Sequence, residues 1–182
     1  RIYSDQGLFT SDKRITSEVA RIFSFLETVK LPSEEFKHLL VGQFNLRKTL
    51  IQLIDFEIAE AGAGRPASIV LKINSLQDEE MIEKLYAASQ AGVKIELNIR
   101  GICSLIAGKK SLSENIKAFS IVDRFLEHSR IFLFHHGGQE KMYLASADWM
   151  ERNLSFRIET AFPIYDPVLM AEIKDILAIQ RS

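Results

Sequence analysis

His128 and Arg130 stand two residues apart at the head of an apolar run, Ile131-Phe-Leu-Phe134. In an extended strand, residues i and i+2 project from one face, so imidazole and guanidinium would act together. A His-Gly-Gly turn follows, then a second run, Met142-Tyr-Leu-Ala145, which ends at Ser146 and Asp148. If the two runs pair as a hairpin, a titratable base, a fixed cation, a hydroxyl and a carboxylate gather at one end of a sheet. Such a set suits an anionic substrate. A neutral imidazole serves as nucleophile or base, and a protonated one offsets charge on anionic oxygens. Arg124, just upstream, adds a third cationic candidate. Flanking arginines disfavour the protonated ring while attracting phosphate. The competing reading is a structural histidine with its ring nitrogens met by backbone, and the residues alone leave both open.

A second set of candidates closes two strand-like runs. Lys72 and Asn74 end Ser68 to Ile73, and Arg100 ends Val93 to Ile99. In an open α/β sheet, ligands sit beyond the carboxyl ends of parallel strands. Lys72 and Asn74 share a face at strand spacing. Arg100 precedes Gly101, where a ligand can approach the backbone closely, and arginine suits bidentate contact with phosphate oxygens. The alternative is that these cations are solvated strand-end charges.

Other polar residues carry less. His135-His136-Gly137-Gly138 reads as a hairpin turn rather than a metal site. Adjacent histidines on a strand would point apart, and no cysteine or carboxylate stands at metal-like spacing. His38 and Cys103 receive no role. Trp149 and the phenylalanines from Phe119 to Phe134 read as core.

The elements that must position these residues follow from periodicity. Ile15, Val19, Ile22, Phe23 and Leu26 recur at helical spacing after a Ser11 or Asp12 cap, giving a helix through Val29. Glu34 to Asn45 reads as a linker or short strand. Leu46 to Ala61 is an amphipathic helix stopped by Gly62, Gly64 and Pro66. Strand Ser68–Ile73, helix Asp78–Ala91 and strand Val93–Ile99 form a right-handed parallel βαβ unit. A loop from Gly101 to Ser113 leads to a short strand, Ile116 to Val122, and then the hairpin. Asp148 to Leu154 reads as a turn or short helix, Phe156 to Tyr165 as a strand, and Pro167 to Ile179 as a closing helix with proline in its first turn. The expected fold class is α/β: a sandwich from about Leu39 to the end, preceded by an N-terminal helical segment.

Composition bounds the rest. With 182 residues, 47% of them hydrophobic and 26% charged, the chain can bury one substantial core. A net charge of −1 gives no global signal for a polyanion partner, so any basic site must be local. One cysteine excludes an intrachain disulfide and fits a reducing compartment. No stretch approaches the roughly 20 apolar residues of a membrane span. The chain opens at Arg1, without methionine, in what reads as a strand or loop, and we expect a fragment of a longer polypeptide.

Several ordered motifs carry a family resemblance. They are Arg1-Ile-Tyr3-Ser-Asp5-Gln-Gly7-Leu-Phe9-Thr, Ala87-Ala-Ser89-Gln-Ala-Gly92-Val, Ile99-Arg100-Gly101-Ile-Cys103-Ser-Leu, Ser113-Glu-Asn115-Ile, the tract from Ser120 to Arg130, and Ser146-Ala-Asp148-Trp-Met-Glu-Arg152-Asn153-Leu. Together they resemble the large, histidine-phosphorylating bacterial polyphosphate kinases over essentially the whole chain. The first motif resembles the end of that family's first catalytic domain and the rest its second. The expected division is 1–38 for the first part with a connecting helix and 39–182 for the second domain.

The family's catalytic half resembles facing phospholipase-D-like domains, which implies an α/β/α sandwich with a mixed sheet. The phospholipase-D pattern is a histidine, one residue, a lysine, and a later Gly-Ser-x-Asn. Here His128-Ser129-Arg130 and Ala145-Ser146-Ala147-Asp148 stand at those places. Arginine for lysine and aspartate for asparagine put phosphodiesterase activity in doubt.

The resemblance implies reversible transfer of the terminal phosphate of ATP to inorganic polyphosphate. The route would be a phosphohistidine upstream of Tyr3, with Mg2+ held mainly by upstream residues. Tyr3, Arg100 and His128 fall on the family's ATP-contacting residues, with His128 as a second histidine in phosphate contact or acid/base work. Lys72, Asn74, Arg124 and Arg130 remain phosphate-binding candidates, and no metal ligand is expected in this chain. ATP, ADP and polyphosphate are the implied partners, without nucleic acid. The full enzyme is expected to be a cytoplasmic homo-oligomer, peripheral to the inner membrane face. Two rivals remain: a phospholipase-D-like phosphodiesterase or nuclease, and a non-catalytic polyanion-binding module.

Overall fold

The apolar run Ile131–Phe134 becomes the central strand of a seven-stranded mixed sheet in the computed structural model, which describes residues 3–181. Arg1 and Ile2, which open the first motif above, lie outside the described residues, as does Ser182. The strands are β1 (Tyr3–Ser4), β2 (Leu40–Val41), β3 (Ser68–Ile73), β4 (Lys94–Ile99), β5 (Ile116–Phe119), β6 (Leu126–Glu127), β7 (Arg130–Phe134), β8 (Lys141–Ala145) and β9 (Thr160–Pro163). The helices are α1 (Lys13–Thr28), α2 (Leu46–Gly62), α3 (Glu79–Gln90) and α4 (Pro167–Ile179). The large sheet has the order β2-β9-β8-β7-β3-β4-β5, and β1 pairs with β6 in a separate parallel ribbon. β3, β4 and β5 run parallel, whereas β7, β8, β9 and β2 join through antiparallel pairings.

Why β7 lacks polar alternation follows from its place. Phe132 and Phe134 face α2 and α3 with Ile69, Leu71 and Leu50; Ile131 and Leu133 face α4 with Ile173 and Leu177. A strand covered on both faces reads as a continuous apolar run. The layers are therefore α/β/α. Trp149, fully buried, closes the α2/α3 side with its ring edge-on to Phe132 at 5.8 Å.

The helix caps are those the residues specify. Asp12, Asp78 and Asp166 accept hydrogen bonds from the amides of Arg14, Met81 and Val168, and Pro167 opens α4. The N-terminal helix is docked on the sandwich. The Glu18 carboxylate, 2% exposed, accepts from the amides of Lys37 (2.8 Å), His38 (3.1 Å) and Leu39 (2.7 Å), and Arg21 pairs with it at 3.1 Å. Three amides and one guanidinium compensate the buried charge.

Several expectations need correction. The strand expected to reach Val122 stops at Phe119, and the one expected over 156–165 is only Thr160–Pro163. The segment after Met150 is a π-helical turn, Arg152–Phe156, a rare geometry frequent at functional sites. Phe125 is exposed in a loop rather than core. His135 and His136 lie in a tight turn whose Gly137 (φ 64°) and Gly138 (φ 86°) take left-handed conformations, so strand alternation does not apply to them. No helix among the described residues is long and apolar enough to cross a membrane.

Candidate active site

The sheet topology brings several chain segments to one edge. β7 starts where β3 ends, β8 finishes opposite that start, and β9 begins beside it. β4 ends alongside β3. Asn74, Arg100, Arg130, Ser146, Asp148 and Thr160 therefore share one rim.

His128 lies just before β7, outside the large ladder. Its amide donates to the Ser4 carbonyl at 2.8 Å, which continues the β1–β6 ribbon. Its Nδ1 is 2.8 Å from an Asp5 carboxylate oxygen. A carboxylate only accepts, so Nδ1 carries the proton in this pair. Arg130 Nη1 lies 3.2 Å from both ring nitrogens and donates to the His128 carbonyl at 2.8 Å. Tyr3 meets the imidazole edge-on, with centroids 5.4 Å apart. Burial works to raise the Asp5 carboxyl, but the His128 and Gln6 hydrogen bonds outweigh it and hold Asp5 below the usual carboxylate range.

Arg130 is held from the other side by Asp148. Its Nε and Nη2 each donate to one carboxylate oxygen at 3.2 Å, a bidentate pair about one-tenth exposed on both sides. Asp148 Oδ1 also accepts from the amides of Asn74 (2.8 Å) and Ser75 (3.3 Å). Asn74 Oδ1 in turn accepts from Arg100 Nε (3.1 Å) and Nη2 (2.7 Å). One polar chain thus runs Asp5–His128–Arg130–Asp148–Asn74–Arg100. Gly101 serves this chain in a way not expected. A Cβ there would meet the Asn74 carbonyl at 2.8 Å, so the missing side chain makes room for Asn74.

A cleft of about 440 Å³ opens over His128, Arg130 and Asp148. Its far side is formed by Arg152, Asn153, Arg157 and Glu159, none of which sequence reasoning had singled out as site residues. Their signal in the sequence is the four charges Glu151, Arg152, Arg157 and Glu159, which fall in the stretch that reads as a turn or short helix and then a strand. Glu159 accepts from Asn153 Nδ2 at 2.7 Å and from the Ser146 hydroxyl. Of the sequence candidates, His128 and Arg130 line this cleft, Tyr3 adjoins His128, and Asn74 and Arg100 stand behind Asp148. Arg124 is exposed, its guanidinium 5.7 Å above the Phe125 ring. Lys72 is buried and paired with Glu127 and Ser129.

The far side depends on Gly42. Its amide donates to the Glu159 carbonyl at 2.7 Å. A Cβ at Gly42 would collide with the Arg157 carbonyl and press on Asn153 O and Glu159 N, each at 3.1 Å. We expect Gly42→Ala to cost about 1–3 kcal/mol in denaturant unfolding, the usual cost of overpacking. An unchanged unfolding midpoint would show that the 153–159 segment yields freely.

The fit to magnesium is poor. Among the described residues, no group of three or more His, Cys, Asp or Glu side chains could hold a metal ion. Asp5, Asp148 and Glu159 are each engaged by His128, Arg130, or Asn153 with Ser146.

The fold is a phospholipase-D-like sandwich. The phospholipase D family member Nuc from Salmonella typhimurium superposes with a TM-score of 0.53 at 15% identity, covering 75% of this chain and 89% of Nuc. The family is narrower. The model of the polyphosphate kinase C-terminal domain 2 matches residues 39–182. Polyphosphate kinase of Escherichia coli strain K12 is 48% identical over 182 residues, all of this chain and 26% of that protein. The crystal structure of polyphosphate kinase from Porphyromonas gingivalis superposes with a TM-score of 0.90 at 46% identity, over 94% of this chain and 26% of that one. The chain belongs to the polyphosphate kinase family, and it spans about a quarter of the length of the relatives it matches.

Proposed function

We propose that this chain supplies one wall of a polyphosphate kinase active site, which reversibly moves the terminal phosphate of ATP to inorganic polyphosphate. The observation that carries the reading is the His128–Arg130–Asp148 constellation on an open cleft in a chain of this family. Phosphoryl transfer depends chiefly on positioning and on cations around the equatorial oxygens. Arg130 is already oriented by Asp148, and Arg100 by Asn74, so neither must reorganise when charge develops. Tyr3 offers an aromatic edge beside His128 for the nucleotide.

In this reading the nucleophile is a histidine in the upstream part of the enzyme. The bond between the terminal phosphorus and the ADP oxygen breaks as a P–N bond forms to that histidine. The P–N bond then breaks as a terminal oxygen of polyphosphate attacks. His128 contacts the transferring phosphate and exchanges a proton through Nε2. Magnesium accompanies the nucleotide, with ligands outside this chain. A reducing, ATP-containing cytoplasm suits the single cysteine, and the full enzyme works as an oligomer.

Asp148 sits where the hydrolase pattern has asparagine, and its pairing with Arg130 favours the kinase reading over a phosphodiesterase. The isolated 182-residue chain, incubated with γ-labelled ATP, should take up no acid-labile label. Label on His128 would overturn the assignment of the nucleophile to the upstream part.

A further inference from the structure

Lys72 is a buried charge that the proposed transfer does not use. On β3, Ile69, Leu71 and Ile73 face α2 and α3, so Lys72, out of phase with them, points with Val70 toward the α4 side. There it is 3% exposed. A buried ammonium persists only with close partners. Its Nζ has two, Glu127 Oε2 at 2.6 Å and Ser129 Oγ at 2.8 Å. These are the residues on either side of His128.

Residues i and i+2 of an extended segment share a face, and the residue between them takes the other. Holding 127 and 129 from behind therefore turns 128 away from Lys72, toward Tyr3, Asp5 and Arg130. Gln180, just past α4, donates to the same Glu127 oxygen at 2.8 Å, so the closing helix braces the grip. Burial works to raise the Glu127 carboxyl, yet the Lys72 contact outweighs it and holds Glu127 below its usual range.

We propose that Lys72 is a positioning residue: its ammonium clamps Glu127 and Ser129 and thereby fixes the direction and reach of His128. This differs from a lysine that touches phosphate at a strand end. It rests on the reading of His128 as the phosphate-contacting histidine.

The test uses the full-length enzyme with Lys72→Met, Glu127→Gln, and the paired change Lys72→Met with Glu127→Met. Turnover is measured beside the rate at which diethyl pyrocarbonate modifies the His128 and His135 peptides, read by mass spectrometry. A displacement of order 1 Å at a reacting group can cost about 100-fold, so Lys72→Met should lower kcat by up to about that factor. KM for ATP should change far less, and His128 modification should rise several-fold relative to His135. Glu127→Gln should shift both readouts the same way by less. The paired variant leaves no lone buried charge, so its melting temperature should return to near wild type. Its kcat should stay low and its His128 modification fast, which a purely structural role would not produce.

A paired variant with wild-type stability and wild-type turnover overturns the proposal. So does a Lys72→Met enzyme whose His128 reacts at the wild-type rate. Should Lys72→Met fail to fold, Ser129→Ala and the paired variant carry the same comparison. If the wild-type enzyme transfers no phosphate to polyphosphate, the functional reading fails, while the modification rates still decide whether the clamp exists.

Discussion

In the full-length enzyme, His128→Ala should lower turnover by about 100-fold or more, the scale of a lost proton-transfer or charge-stabilising group. Arg100→Ala should follow, while His135→Ala should stay close to wild type. The ranking is geometric. His128 borders the cleft, with Nδ1 tied to Asp5 and the ring within 3.2 Å of the Arg130 guanidinium. His135 sits at the hairpin turn at the opposite end of β7, its amide bonded to the Ser68 carbonyl at 3.0 Å. Arg100 acts at longer reach, because its guanidinium is oriented by Asn74, whose amide is held by Asp148. Its loss removes a cation and also frees Asn74. Steady-state rates for the three variants, in both reaction directions, check the order. Equal losses for His128→Ala and His135→Ala would remove the basis for placing His128 at the site.

What the residues disclosed, and what they hid, divides along physical lines. Strand and helix existence followed from local periodicity and caps, so Ser68–Ile73 and Pro167–Ile179 are found where the pattern puts them. The closeness of His128 and Arg130 was legible because two-residue spacing in extended chain is a local matter. The role of Lys72 was not. A strand-end lysine looks alike in sequence whether it meets solvent, a phosphate or a buried glutamate 55 residues away. The same holds for Gly101 and Gly42, whose missing side chains make room for backbone from distant segments. The site role of the 152–159 segment was not legible because its pattern reads as a short helix and then a strand, whereas the π-helical turn Arg152–Phe156 is held in place by Gly42 and by Arg47. Arg47 donates to Ser155 Oγ at 3.0 Å and pairs with the α3 cap residue Asp78 at 2.5 Å. Long-range packing, rather than propensity, chose that conformation.

Removing the Asp148 side chain should cost the rim of the site much of its stability. The residue is 9% exposed. Its carboxylate accepts two amides and both arms of the Arg130 fork. Asp148→Ala would leave a nearly buried guanidinium without its counter-charge, and breaking such a pair costs about 3–5 kcal/mol. Denaturant unfolding should show a loss of that size, well above the roughly 0–1 kcal/mol of a surface pair. A loss within the surface range would mean that Asp148 does not anchor the edge. Asp148→Asn should fall between, because its carbonyl oxygen can keep the Asn74 and Ser75 amides while its NH2 group opposes the Arg130 donors. Turnover should be low in both variants, since Arg130 loses its orientation in each. Adding Arg130→Lys to Asp148→Asn tests the cause. Lysine is a flexible point charge without the fixed fork, so it can turn from the amide donors and donate to the carbonyl oxygen as its one partner. If the Arg130–Asp148 fork is the coupled unit, the double variant should lose less than the sum of its two single changes, with a coupling of about 0.5–3 kcal/mol. Strict additivity would mean that the two side chains stabilise the edge independently, and that the bidentate pair is a consequence of the fold and not one of its supports.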